Sequence, residues 1–158
     1  MGRLRLMAAG DIWLQTGGGR HPFGEVGHIL RDKDLLFGNL ETTLSKTGER
    51  ARKHHVLSSP PDTARYLVDA GFDILSVANN HSTDLGAEGL RSTLHALESR
   101  GILPIGASAS PDRRGPVILE RNGVTIGFAG YTTGRIAVPG DTRVNRLVEE
   151  EVVRDIEI

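Results

Sequence analysis

Three apolar runs in this sequence are each followed by side chains that could bind a metal ion or transfer a proton. These side chains are Asp11, then Asn39 with Glu41, and then Asn80 with His81. Two carboxylates, an amide oxygen and an imidazole suit a divalent cation such as Mn, Fe, Mg or Zn. A carboxylate that bridges two such ions would let both hold a phosphoryl oxygen and activate water. The pattern therefore predicts metal-assisted hydrolysis.

The pair His81 and Asp84 predicts a role in proton transfer. We interpret His81 as an acid or a transition-state donor rather than a metal ligand, and Asp84, three residues later, can orient its imidazole. Both are candidate catalytic residues. Asp84 could also be the N-cap of the following helix, because Asp is a preferred cap residue. Likewise, Asn79 and Asn80 could simply shape a turn.

Three further residues are candidates for substrate binding, and they are Asn39, Asn79 and His55. His55 lies in the polar, basic stretch 42–55, which we expect to form an exposed loop or hairpin. A histidine in such a stretch is often solvated, yet it could contact an anionic substrate. The candidate ligands also have simpler interpretations, since Asp11 could be only a turn residue and Glu41 only a cap.

Strands that alternate with helices must position these residues. We expect strands at 3–9, 35–40, 74–78 and 101–106, a hairpin at 117–129 around Asn122-Gly123, and helices at 23–31, 61–70, from about 85, and 147–158. This order predicts an α/β fold with a mostly parallel sheet, flanking helices and the hairpin at one side. The carboxyl ends of parallel strands share one edge, where such sheets bind ligands. Gly17-Gly18-Gly19 lacks the Lys-Ser/Thr of a phosphate-binding loop, so we expect a flexible loop there.

Composition limits the remaining classes of function. The 158 residues suffice for one globular domain with a core. A net charge of −1 gives no electrostatic argument for binding nucleic acid or an anionic membrane. The absence of cysteine excludes disulfides and thiolate metal sites, but it leaves the cellular location unassigned. The apolar run at the N-terminus is too short for a signal peptide or a membrane span, so we expect no membrane segment in this chain.

Several motifs together resemble a known family. Gly10-Asp11, Phe37-Gly-Asn-Leu-Glu41 and the stretch 76–86, Ser-Val-Ala-Asn-Asn-His-Ser-Thr-Asp-Leu-Gly, match in order and spacing the bacterial capsule and poly-γ-glutamate biosynthesis proteins of CapA or PgsA type. That family is similar to the calcineurin-like metallophosphoesterases. The resemblance implies a fold like the first half of an αββα sandwich, with residues 1–158 as a single CapA-like domain. Family members are often membrane-anchored or extracytoplasmic.

The resemblance also implies roles for individual residues. It implies Asp11 and Glu41 as metal ligands, with Glu41 near the bridging position between two ions. It implies Asn80 as a ligand of the second ion. It places His81 beside the bond that is cleaved, as the catalytic histidine.

Two departures from the superfamily pattern are visible. Trp13, which we expect in the core or at its rim, stands where metallophosphoesterases usually carry a histidine. The sequence also has no Gly-His-x-His motif, which supplies further metal ligands in the superfamily. We therefore expect either a domain truncated at its C-terminus or a degenerate member. The predicted helix at 147–158 has no capping signal after it, which favours truncation.

Three functional hypotheses follow. The first is a metal-dependent hydrolase that acts on a phosphoester, or on an amide-like bond of an acidic polymer. The second is a non-catalytic module that binds an anionic polymer in capsule synthesis or export, and the basic stretch 50–55 favours it. The third is an α/β domain in which the motif residues only complete turns.

Overall fold

The computed structural model describes residues 2–15, 21–112, 114–134, 136 and 141–157. The strands in this part of the chain are β1 (Leu6–Ile12), β2 (Leu35–Leu40), β3 (Thr43–Leu44), β4 (Ser58–Ser59), β5 (Ile74–Ser76), β6 (Leu103–Ile105), β7 (Ala107–Ser108), β8 (Val117–Arg121), β9 (Val124–Phe128) and β10 (Arg143–Val144). The helices are α1 (Gly27–Leu30), α2 (Ala64–Ala70), α3 (Gly86–Glu98) and α4 (Glu149–Ile156), with a 3-10 turn at Pro61–Thr63 before α2.

The main sheet has four parallel strands in the order β1-β2-β5-β6. This arrangement confirms the prediction of an α/β fold with a mostly parallel sheet. The two central strands are apolar along most of their length because both faces of a parallel sheet are covered. Leu35, Leu36, Ile74 and Leu75 are accordingly fully buried.

The helices lie where the sequence pattern places them, with shorter bounds. Helix α3 buries Leu90, Leu94 and Leu97, which recur at helical spacing on one face. Helix α2 ends at Gly71, whose φ of 87° is a left-handed conformation that glycine adopts without a steric penalty. The helix expected at 23–31 is reduced to the four residues of α1, because Gly24 and Gly27 weaken it.

Close packing holds the site-bearing strand against its neighbours. A Cβ atom at Gly38 in β2 would lie 2.6 Å from Cδ1 of Ile12 and 2.9 Å from Cε1 of Phe72. Only glycine therefore fits this point of the strand without moving the core.

The predicted hairpin is present, but its place in the sheet is not as expected. Strands β8 and β9 pair antiparallel, and Asn122 and Gly123 form the turn with φ angles of 54° and 71°. Both residues are left-handed, as a type I′ hairpin turn requires. Within the described residues, the hairpin is a separate two-stranded sheet rather than an extension of the main one. It packs on the main sheet through Phe128, whose ring stacks 6.0 Å from that of Phe37.

Other expectations need correction. In the segment 42–55, residues 46–50 and 52–55 form the expected exposed loop, whereas residues 42–45 are buried and β3 pairs in parallel with β4 instead of forming a hairpin. Ala107 and Ser108, which lie outside the strands expected from the sequence, form β7 and pair with β10. Trp13 is 56% exposed rather than part of the core. The expected loop at Gly17-Gly18-Gly19 lies outside the described residues. In the described ranges, no helix has the length and apolar character that a membrane crossing needs.

Candidate functional site

The candidate site lies at the carboxyl edge of the main sheet. Strand β1 continues past a bulge and pairs Asp11 with Asn39 of β2, and Asn39 in turn pairs with Ser76 of β5. Glu41 follows β2 directly, and its N–H donates to the carbonyl of Ile12 at 2.9 Å. Backbone pairing therefore places Asp11, Asn39 and Glu41 side by side, as parallel-strand logic predicts.

The side-chain amide of Asn39 is hydrogen-bonded to both carboxylates. Its Nδ2 donates to Oδ1 of Asp11 at 2.8 Å and to Oε1 of Glu41 at 2.7 Å. Asp11 lies within β1 rather than in a turn, and the Glu41 carboxylate accepts a hydrogen bond from a side chain of β2. The result is a small cluster of oxygen donors at the mouth of the sheet.

Asn79 links this cluster to the following loop. It is 5% exposed, and its Nδ2 donates to Oδ1 of Asn39 at 3.0 Å and to the carbonyl of Leu40 at 2.8 Å. Its Oδ1 accepts the N–H of His81 at 3.0 Å. Both ends of this amide are thus occupied by the protein, so Asn79 orients its neighbours, and its direct contact with substrate stays a prediction.

His81 lies between two carboxylates. Its Nδ1 is 2.7 Å from Oδ2 of Asp84, and its Nε2 is 3.8 Å from Oε2 of Glu41. An ionised carboxylate only accepts hydrogen bonds, so His81 donates to Asp84 in the tautomer that carries its proton on Nδ1. Nε2 then faces the carboxylate cluster and is the ring atom left for proton transfer.

Asp84 is the buried anchor of this half of the site. It is 1% exposed, its Oδ2 accepts the N–H of Leu57 at 2.6 Å, and its Oδ1 forms an ion pair with Lys53. The alternative role of Asp84 as a helix cap is wrong, since Leu85 precedes α3 and no side chain caps that helix. Asp84 instead holds both the imidazole and the loop that precedes β4.

Lys53 is a functional residue that the sequence reasoning missed. Its ammonium donates to the carbonyl of Asn80 at 2.7 Å, pairs with Asp84 and lies 3.1 Å from Nδ1 of His81. Nothing in the sequence separates Lys53 from the other bases of the stretch 50–55. Only the fold, which brings this loop over the turn after β5, identifies it.

Comparison with known proteins identifies the family of this chain. The model of the bacterial capsule synthesis protein family PGA_cap matches residues 5–154. The chain belongs to the PGA_cap family.

Individual relatives agree with that assignment. The chain is 31% identical over 152 residues to the capsule biosynthesis protein CapA of Bacillus anthracis, a match that covers 85% of this chain and 36% of the relative. It is 32% identical over 114 residues to the PGA biosynthesis protein CapA of Bacillus subtilis, covering 70% of this chain and 30% of the relative. A probable 5′-nucleotidase of Treponema pallidum is 35% identical over 135 residues, which are 80% of this chain and 20% of that protein. The chain thus spans about a third or less of the length of these relatives.

Two candidates of the PGA_cap site lie away from the carboxylate cluster. Asn80 is exposed, and among the described residues no contact joins its side chain to Asp11 or Glu41, so its role as a metal ligand stays a prediction. His55 is exposed too, and it does not border the cavity beside the site. Its role in substrate binding likewise stays a prediction.

The donor set can be compared with what a divalent ion requires. Asp11 and Glu41 offer carboxylate oxygens close together, which suits a hard cation. Across the described ranges, however, no three His, Asp or Glu side chains converge as a metal-binding group. The residues present therefore fit part of a metal site, namely its carboxylate ligands.

A cavity of about 480 Å³ opens beside Asn80 and Asp84, and His81 is not among its lining residues. Its wall includes Asn80 and Asp84, which belong to the site, and charged side chains of the basic stretch: Glu49, Arg50, Arg52 and Lys53. A ligand in this cavity would therefore contact Asp84, the residue that holds the imidazole of His81.

Proposed function

We propose that this PGA_cap protein is a metal-dependent hydrolase that cleaves a phosphoester, or an amide-like bond in an acidic polymer such as poly-γ-glutamate. The observation that carries the proposal is the pair of carboxylates, Asp11 and Glu41, held on the amide of Asn39 with His81 facing them. A cluster of acids next to an oriented imidazole is typical of hydrolytic sites rather than of turns.

Asp11 and Glu41 would hold the divalent ion, with Asn80 as a further ligand. When bound, the ion supplies Lewis acidity and an activated water at neutral pH. Asn39 and Asn79 fix the carboxylates in place, so that little reorganisation is needed when the ion binds. The identity of the ion, whether Mn, Fe, Mg or Zn, is part of what the experiment below measures.

His81 would act on the substrate through Nε2. Asp84 holds the other ring nitrogen and so fixes the orientation and tautomer of the imidazole, as carboxylates do for catalytic histidines. When both ring nitrogens carry a proton, His81 would donate the one on Nε2 to the leaving group and keep the one on Nδ1, while Asp84 acts as a positioning residue. The nucleotidase name of the Treponema pallidum relative supports phosphoester chemistry, and the PGA biosynthesis name of the Bacillus subtilis relative supports an acidic polymer.

The test is hydrolysis by the purified protein with each of the four ions. Suitable substrates are a chromogenic phosphodiester and poly-γ-glutamate. We expect His81→Asn to lower turnover by about 100-fold, because positioned acid–base groups contribute this much or more. His95→Asn is the matched control, since His95 is exposed on α3. Absence of turnover on both substrates with every ion, or a fully active His81→Asn variant, would refute the proposal.

A second candidate is a non-catalytic module that binds an anionic polymer in capsule synthesis or export. The basic side chains that border the cavity favour it. Such a module would bind poly-γ-glutamate without cleaving it, and binding would weaken as salt screens the charges. Affinity that does not change with ionic strength would count against this candidate.

A further inference from the structure

The cavity beside Asn80 and Asp84 contains positive charge that the site network does not use. Lys53 is occupied, since it pairs with Asp84 and donates to the carbonyl of Asn80. Arg50 and Arg52 are exposed, and within the described part of the chain neither forms an ion pair or a hydrogen bond through its guanidinium. The two arginines are therefore free to bind a ligand.

The start of helix α3 faces the same cavity. Gly86, its first residue, lines the wall, and no side chain caps the helix. A helix of 13 residues places a partial positive charge at this end, while the N–H of Gly86 itself donates to the carbonyl of Thr83. This feature is independent of the arginines, and it favours the same kind of ligand, an anionic group with several oxygens.

One carboxylate opposes this attraction. Glu49 also borders the cavity. The other acid in the wall, Asp84, is already neutralised by Lys53. Two unpaired arginines and a helix start therefore face a single unpaired acid, so the cavity favours an anion.

We propose that Arg50, Arg52 and the start of α3 form a subsite for a carboxylate of an acidic chain that continues past Asp84 to His81. The guanidinium fork matches the two oxygens of a carboxylate. Asp84, which holds the imidazole of His81, also lines the cavity, so a ligand that reaches from the cavity to His81 must be a chain long enough to pass Asp84. An acidic polymer has this property. The inference rests on the proposed function, in which such a polymer is the substrate.

The experiment measures binding by calorimetry, so that it does not depend on turnover. The probes are a γ-linked glutamate oligomer, the same oligomer with its carboxylates amidated, and polyphosphate of similar length. We expect Arg50→Gln and Arg52→Gln each to weaken binding of the glutamate oligomer about tenfold, since a charge-assisted hydrogen bond contributes about this factor. Glu49→Gln should tighten binding. Arg3→Gln, a change at an exposed arginine at the other end of the chain, is the matched control.

The outcomes separate the subsite from the proposed function. Loss of oligomer binding in both arginine variants, with no binding of the amidated oligomer, supports the subsite even if no hydrolysis is found. Unchanged affinity in Arg50→Gln and Arg52→Gln overturns the subsite, even if the protein is an active hydrolase. Arginine-dependent binding of polyphosphate without binding of the glutamate oligomer also overturns it, because the ligand would then not be a carboxylate chain.

Discussion

The candidate site has two halves that are held together in different ways. In the sheet half, Asp11, Asn39 and Glu41 lie on or next to paired strands, and backbone hydrogen bonds set their positions. In the loop half, His81 and Lys53 lie on segments without regular structure, and the buried side chain of Asp84 connects them.

This difference predicts which single substitutions should lower the stability of the fold most. Removing a side chain from the sheet half leaves the strand register intact, because the ladder does not depend on that side chain. Removing Asp84 from the loop half takes away the group that fixes the loop itself. We therefore expect side-chain substitutions in the loop half to lower the stability of the fold more than substitutions in the sheet half, although both halves belong to one site.

The largest expected effect is that of Asp84→Ala. The substitution leaves the N–H of Leu57 and the ammonium of Lys53 without their partner, and it empties a fully buried position. Breaking a buried ion pair costs about 3 kcal/mol or more, and the partial exposure of Lys53 lowers this to about 2–3 kcal/mol. Urea unfolding should show this loss. Limited proteolysis should also become faster in the loop 46–56.

Asp141→Ala is the matched control for Asp84→Ala. Asp141 pairs with Arg91 on the surface at 2.9 Å, and such exposed pairs contribute less than about 1 kcal/mol. If both substitutions cost the same and the loop is cut no faster, the loop half is not held by Asp84, and the comparison of the two halves fails.

The second-largest expected loss of stability is that of Lys53→Met. Asp84 then keeps its bonds to Leu57 and His81 but loses its cation, so we expect a smaller loss of about 1–2 kcal/mol. A double-mutant cycle with Asp84→Ala should give a coupling energy of at least about 0.5 kcal/mol, because the two side chains are in contact. Strict additivity would show that the ion pair does not hold the loop.

The sheet half could be predicted from the sequence because few features determine it. The apolar run at 35–40 became β2 with the same bounds, and Asp11 and Glu41 lie where neighbouring parallel strands must place them. Periodicity and the rule that ligands bind at the carboxyl edge were sufficient for this. The same reasoning located the turn with Asn79 and His81.

The loop half could not be predicted in the same way. The position of Lys53 depends on contacts with Asn80 and Asp84, which lie 27 and 31 positions further along the chain. No local sequence pattern encodes such contacts. The sequence favoured His55 in this stretch, whereas the structure brings Lys53 to His81 and places Arg50 and Arg52 on the cavity wall. The parallel pairing of β3 with β4 was missed for a similar reason, since strands of two residues carry no detectable period.

The third-largest expected loss of stability is that of Asn39→Ala, which tests the sheet half. The change removes the hydrogen bonds to Asp11 and Glu41 and the one from Asn79, but the strand ladder remains. We expect a loss of about 1 kcal/mol in urea unfolding, below that of Asp84→Ala. Gln15→Ala, an exposed position after β1, is the control and should change stability by less than about 0.5 kcal/mol. A loss for Asn39→Ala that equals or exceeds that of Asp84→Ala would mean that side chains hold both halves alike.

The smallest expected effect concerns Asp34, a carboxylate just before β2 at the opposite end of the strand from the site. The backbone N–H of Arg5, which donates to Oδ2 at 2.6 Å, lowers the pKa of Asp34, while burial acts in the opposite direction and Asn122, Arg5 and Arg121 lower it further. Because the pKa in the folded state lies below that of the unfolded chain, the ionised carboxylate stabilises the fold above the unfolded pKa. That contribution is lost as the pH falls through the folded pKa.

The measurement is thermal unfolding of the native protein and of Asp34→Asn from neutral pH down to about pH 2, which is below the usual pKa of Asp. We expect the native protein to be slightly more stable at neutral pH, and the difference to shrink toward acid because the native carboxyl becomes neutral like the amide. Asp32→Asn is the matched control, since Asp32 pairs with Arg5 on the surface at 2.5 Å and, unlike Asp34, accepts no backbone N–H among the described residues. A difference for Asp34→Asn that is constant or grows toward acid would contradict the assigned direction of the pKa. It would also show that stability at this end of the sheet, as in the loop half, depends on side-chain contacts that backbone pairing does not replace.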